Sequence, residues 1–185
     1  MKTKIDFFFN YSNLIRFILV NKLNLRGNIN LIPSVDSVAL FFCVRNSLVY
    51  DDVQNYNFFY FFKFFFGQLP LITKFTKRLH LGDWFYDYNV ELILKKKDVY
   101  FFFYFLSNDI LKSTDEQYFF FNKKYFKRND SFLYLNFSDV SLFSELKGNI
   151  GLFDLKVPLN IKVFFTGLNP QNNLYFLKQL KFKVF

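Results

Sequence analysis

An α+β fold is predicted for this chain of 185 residues, with a mainly antiparallel sheet and helices packed on one face. Three observations carry that prediction. Helix-like and strand-like segments are mixed without the regular βαβ alternation of a parallel sheet. Apolar runs at 35–44, 90–94, 132–137 and 157–165 have the length and pattern of strands. Capping and breaking residues, among them Asp51-Asp52, Gly67 and Asn169-Pro170, bound the helical segments between them. The length suits one domain with a real core. An N-terminal helical segment, 1–29, is expected to precede a single α+β domain, 30–185.

Taken in order, Phe7 to Lys22 is compatible with a helix, and Asn24 to Asn30 reads as a loop broken at Gly27. Val35 to Val44 is a buried-strand candidate. Asp51 and Asp52 can open the next helix, because acidic side chains favour a helix N-terminus. Val53 to Phe66 then supplies aromatic side chains on every face, and Gly67 closes it. Pro70 fixes its own φ and biases Leu69 towards extended geometry, so 69–73 should be extended. Lys74 to Asp87 reads as a long basic loop or ribbon, and Val90 to Leu94 as a strand. Lys95-Lys96-Lys97-Asp98 makes a charged turn into a helix over Val99 to Leu111. Ser113 to Asn129 reads as a protruding loop, followed by strands at Phe132 to Phe137 and Val157 to Phe165. Asn169 as N-cap and Pro170 at the first helical position start a short helix over Leu174 to Leu180. Phe182 to Phe185 is a candidate last strand.

Composition bounds the compartment and the chemistry. Phe occurs 32 times and Tyr 12 times, whereas Ala39 is the single alanine. Phe, Tyr, Ile, Asn and Lys are written with A/T-rich codons, so a strongly A/T-rich, mitochondrial genome is expected to encode the chain. Most Phe side chains should be core, standing where Leu, Val or Ala would otherwise pack. A spanning helix needs about 20 mainly apolar residues. The aromatic runs are cut by Asp6, Arg16, Lys22, Lys63, Lys74, Lys95 to Lys97 and Asp98, so no membrane span is expected. No Arg- and Ser-rich, acid-poor leader is evident, which is consistent with synthesis inside the organelle.

The formal net charge of +9 favours a polyanionic partner, either nucleic acid or an anionic membrane surface. Binding of that kind should weaken steeply with salt. One Cys (Cys43) and one His (His80) exclude an internal disulfide framework and a Cys/His zinc site within the chain. Cys43 is expected to be a small core residue. No G-x-S-x-G, P-loop or G-x-G-x-x-G is present, so neither an enzyme nor a cofactor is expected.

The stretch from Gly67 to Arg78, GQLPLITKFTKR, concentrates Gly, Gln, Pro, two Thr, two Lys and an Arg. Hydroxyls and cations of this kind hold phosphate oxygens, and they position RNA without reading its sequence. The order G-Q-x-P-x-x-T-K-x-x-K resembles the signature of the universal large-subunit ribosomal protein L-five family. Ile32 to Leu40, Val90 to Leu106, Val140 to Leu146, Leu155 to Phe165 and Asn169 to Phe185 resemble further family segments in the same order. The likeness covers roughly Asn30 to Phe185. The chain departs from the family at 129–133, which lacks the family's glycines, and at Ser144, where the family has Pro.

The resemblance implies an RRM-like, ferredoxin-like sheet with extended basic loops. It also implies a structural role at the central protuberance of a mitochondrial large subunit, with large-subunit rRNA, 5S rRNA and P-site tRNA as partners. The RNA-binding set it marks is Gln68, Thr73, Lys74, Thr76, Lys77 and Arg78, although Gly67 and Gln68 could instead serve the turn; His80 beside it could stack on a base or be a plain surface histidine. Lys95, Lys96 and Lys97 are a second candidate for rRNA phosphate, or a charged turn that keeps an aromatic protein soluble. Lys123, Lys124, Tyr125, Lys127 and Arg128 fall where the family meets small-subunit protein S-thirteen, so they are candidates for a bridge or an RNA contact. Trp84 could stack on RNA or pack on the sheet, and packing is the expectation. The rival reading is a basic peripheral membrane protein or membrane-complex subunit. It would need an amphipathic helix with Lys on one face.

Overall fold

A computed structural model of the protein describes residues 2–22, 32, 34–48, 52–105, 132–137, 158–166, 172–173 and 175–176. The described elements are α1 (Lys2–Lys22), β1 (Val35–Ser47), α2 (Asp52–Phe66), β2 (Leu71–His80), β3 (Asp83–Lys95), α3 (Lys97–Phe105), β4 (Phe132–Phe137) and β5 (Leu159–Phe165). The strands form one five-stranded sheet in the order β2-β3-β1-β5-β4. β2 and β3 are antiparallel. Where β1 and β5 adjoin, the start of β1 meets the end of β5: Thr166 N–H donates to the Ser34 carbonyl at 2.9 Å. The fold is therefore α+β with a mainly antiparallel sheet. The run β1-α2-β2-β3-α3-β4 has the split β-α-β order of ferredoxin-like folds. It is β5, not β4, that lies beside β1.

The chain divides into two compact units that each draw on several segments. The first is Met1–Val38, Leu94–Leu135 and Lys162–Phe185, and the second is Ala39–Ile93 and Asn136–Ile161. In the first unit α1 packs against α3. Its buried residues include Ile15, Leu19, Val99, Phe102, Phe103, Val163 and Phe165. Ser34 and Thr166 are also linked through their hydroxyls, Oγ to Oγ1 at 2.6 Å.

The second unit is built on phenylalanine. Phe42 of β1 stacks on Phe58 of α2 with ring centroids 4.6 Å apart, and it meets Phe61 edge-on at 5.5 Å. Phe62 lies 5.5 Å from the same ring. These four rings are fully buried, as expected for residues that replace smaller aliphatics in a core. Tyr56, Tyr60 and Phe64 recur every four residues on the opposite side of α2 and remain exposed. Gly67 ends the helix at φ +70, and its N–H donates to the Lys63 carbonyl at 2.9 Å. The Lys63 ammonium donates back to the Gly67 carbonyl at 3.2 Å. The first residue of the G-Q-x-P cluster is thus a left-handed helix stop, a conformation glycine adopts at little cost.

Of the two alternatives for 74–87, loop or ribbon, the ribbon is the one formed: β2 and β3 run from Leu71 to Lys95, and β3 starts at Asp83, seven residues before the expected strand at Val90. Cys43 is half-buried rather than enclosed, and the Asn160 side-chain amide donates to its sulfur at 3.8 Å. The predicted loops at 24–30 and 113–129, the last strand and the helix start at Asn169-Pro170 lie outside the described residues. Residues 172–173 and 175–176, two of them inside the predicted last helix, are helical. Among the described residues, no helix is long and apolar enough to cross a membrane.

Candidate nucleic-acid interface

The β2–β3 ribbon carries Lys74, Lys77, Arg78 and His80 of the basic residues singled out by sequence. Leu81 and Gly82 close it, with φ of +52 and +89. Two positive φ values in a two-residue loop define a type I′ turn, whose twist matches that of the strands it joins. Leu at the first of these positions is unusual, and its side chain is 91% exposed.

The pairing register shifts once. Thr73 faces Asn89, whereas Thr76 faces Asp87. Lys74 and Phe75 therefore stand opposite Tyr88 alone, which makes a β-bulge. Lys74 is at φ +51, the left-handed bulge position that glycine usually fills. A one-residue insertion reverses the alternation of every later side chain on the strand. Before the bulge Ile72 shares a face with Val90; after it, Lys77 shares that face with Tyr86 and Leu79 with Trp84.

The two faces of the ribbon consequently differ in chemistry. On β3 the residues Trp84, Tyr86, Tyr88, Val90, Leu92 and Leu94 lie on one face. It is buried from Tyr88 onward, with Tyr88 1% exposed, and opens towards the turn, where Trp84 is 47% exposed. Phe75, itself 50% exposed, lies 5.8 Å from the Tyr86 ring and 6.3 Å from Tyr88. The Lys77 ammonium sits 4.0 Å from the Trp84 ring centroid and 5.7 Å from that of Tyr86. This is a cation–π arrangement on exposed aromatics.

The other face is polar. Thr73 Oγ1 donates to Glu91 Oε2 at 3.0 Å, and Thr76 Oγ1 donates to the Asp87 carbonyl at 3.3 Å. Arg78 forms an ion pair with Asp87. His80 pairs with Asp83 across the turn, and its ring lies 6.3 Å from that of Phe85. Three carboxylates, Asp83, Asp87 and Glu91, therefore occupy the face that holds Thr73, Thr76, Arg78 and His80.

The ribbon brings together Thr73, Lys74, Thr76, Lys77, Arg78 and His80, all on β2. Gln68 is half-buried in the link from α2, where it lines a shallow open depression with Leu69, Leu71, Thr73, Glu91 and Ile93. Lys95, Lys96 and Lys97 are exposed at the opposite end of β3, with Lys96 at φ +54 and Lys97 opening α3. Lys123, Lys124, Tyr125, Lys127 and Arg128 lie outside the described residues. Trp84 does not pack away as expected. Sequence alone assigned no role to Phe75 or Tyr86, although the alternation Trp84-x-Tyr86-x-Tyr88-x-Val90 was a usable signal for a longer strand. Among the described residues, no group of His, Cys, Asp and Glu is placed to hold a metal ion. No protein-family model matches the chain, and no curated protein matches it.

Proposed function

We propose that this chain is a structural, non-catalytic protein of the mitochondrial large ribosomal subunit. It binds rRNA at the central protuberance and lies near P-site tRNA and the bridge to small-subunit protein S-thirteen. The observation that carries this reading is the placement of the G-Q-x-P-x-x-T-K-x-x-K cluster. Its helix stop launches an exposed ribbon that presents Lys74 and Lys77 beyond the core. Cations on a projecting two-stranded ribbon can reach phosphates that a flat sheet face cannot, and the net charge of +9 supports a polyanionic partner. Because Thr73 and Thr76 donate to protein acceptors and Arg78 is paired with Asp87, the two lysines are the main phosphate ligands of the ribbon in this reading.

Gradient sedimentation of detergent-solubilised mitochondria tests it. The chain is expected to travel with large-subunit rRNA at low salt and to leave that peak after RNase treatment. Lys74→Glu with Lys77→Glu should reduce this association more than Lys123→Glu with Lys124→Glu. Migration with a membrane complex, unaffected by RNase, would instead favour the membrane-complex reading.

A further inference from the structure

Gripping phosphates leaves the aromatic face of the ribbon without a use. Trp84 and Tyr86 flank Lys77, and Phe75 lies beside Tyr86, on a surface that is core at one end and half exposed at the other. All three carboxylates of the ribbon point to the opposite face, so a polyanion approaching this one meets a cation and three π-faces. We infer that this face is a stacking platform for unpaired nucleobases, so that the ribbon takes a single-stranded stretch of RNA rather than a duplex. The inference rests on the RNA-binding reading above and specifies its ligand.

Bases within a duplex are stacked on one another and offer no free face, whereas splayed bases can stack on Trp, Tyr or Phe while a neighbouring cation meets their phosphates. Lys77 is placed for the second task, its ammonium held over one face of the Trp84 ring. The exposed side of α2 makes an instructive control. It also shows aromatics, but its Lys63 is engaged with the Gly67 carbonyl.

Trp84 is the single tryptophan of the chain, so its emission reports on this face in the intact protein. Titration with a short mixed-sequence single-stranded RNA is expected to quench it over the concentrations that saturate binding, followed by the anisotropy of a labelled strand. The blunt duplex of that strand should bind about tenfold more weakly and leave the emission unchanged. Trp84→Leu should weaken single-strand binding about tenfold and Trp84→Phe should restore most of it, each with an unaltered circular dichroism spectrum. Full affinity in Trp84→Leu, or equal affinity for the duplex, would overturn the platform and leave phosphate binding standing. Failure to bind either RNA would sink both readings. An emission shift on phosphatidylserine vesicles, with no response to RNA, would assign the face to a membrane surface instead.

Discussion

The tip of the β2–β3 ribbon and the outer side of α2 both display aromatic rings, yet they are not the same kind of surface. On α2 the rings of Tyr56, Tyr60 and Phe64 follow helical spacing, and Tyr60 and Phe64 stack at 6.2 Å, so they chiefly meet one another. On the ribbon, Phe75, Trp84 and Tyr86 are interleaved with Lys77, and the acidic side chains are sorted to the other face. Exposure alone therefore does not separate the two surfaces. What distinguishes them is whether cations share the face and carboxylates leave it.

Substitutions can sharpen this contrast. The largest effect is expected on the inner side of α2. Phe62→Ala should destabilise the protein by about 3–5 kcal/mol in chemical denaturation, because it empties a packed aromatic core. Tyr60→Ala, on the outer side, should cost under about 1 kcal/mol. It should also leave single-stranded RNA binding unchanged, and a loss there would erase the distinction between the two surfaces.

Lys74→Gly comes next, and it separates stability from binding. A lysine at positive φ carries a backbone cost that glycine avoids, so the variant should be more stable by about 0.5–1 kcal/mol. It should nonetheless bind RNA more weakly and with a shallower salt dependence, since one phosphate ligand is gone. Unchanged salt dependence would remove Lys74 from the interface. The smallest effect is expected from Leu81→Asn, which places a favoured residue in the type I′ turn and should add about 0.5 kcal/mol without altering RNA affinity.

Much of the fold was legible in the sequence. The helix at 7–22, the strand at Val35, the acidic opening and Gly67 stop of α2, and the strands at 132–137 and 159–165 each carry local signals, and the structure has them. The ribbon was only half legible, for two physical reasons. Its turn is Leu-Gly rather than Asn-Gly, so no residue type announces a hairpin there. Its bulge breaks the two-residue period, so Ile72, Phe75, Lys77 and Leu79 look unpatterned although they share a face. The basic cluster at 73–78 could be read from composition. Its division between an aromatic face and an acid-bearing face could not, because that division depends on the register of β2 against β3.

Among the described residues β2 is an outermost strand of the sheet, with one long side that no other described strand pairs. In a chain this rich in aromatic residues, such a side is a template on which another copy could grow a cross-β contact. The insertion at Lys74-Phe75 kinks that template, and Lys74, Lys77 and Arg78 place like charges along it. A second strand would have to copy the kink and tolerate the repulsion at once. The irregularity that assigns the side chains of the ribbon to their two faces thus also guards newly made chains against pairing with one another.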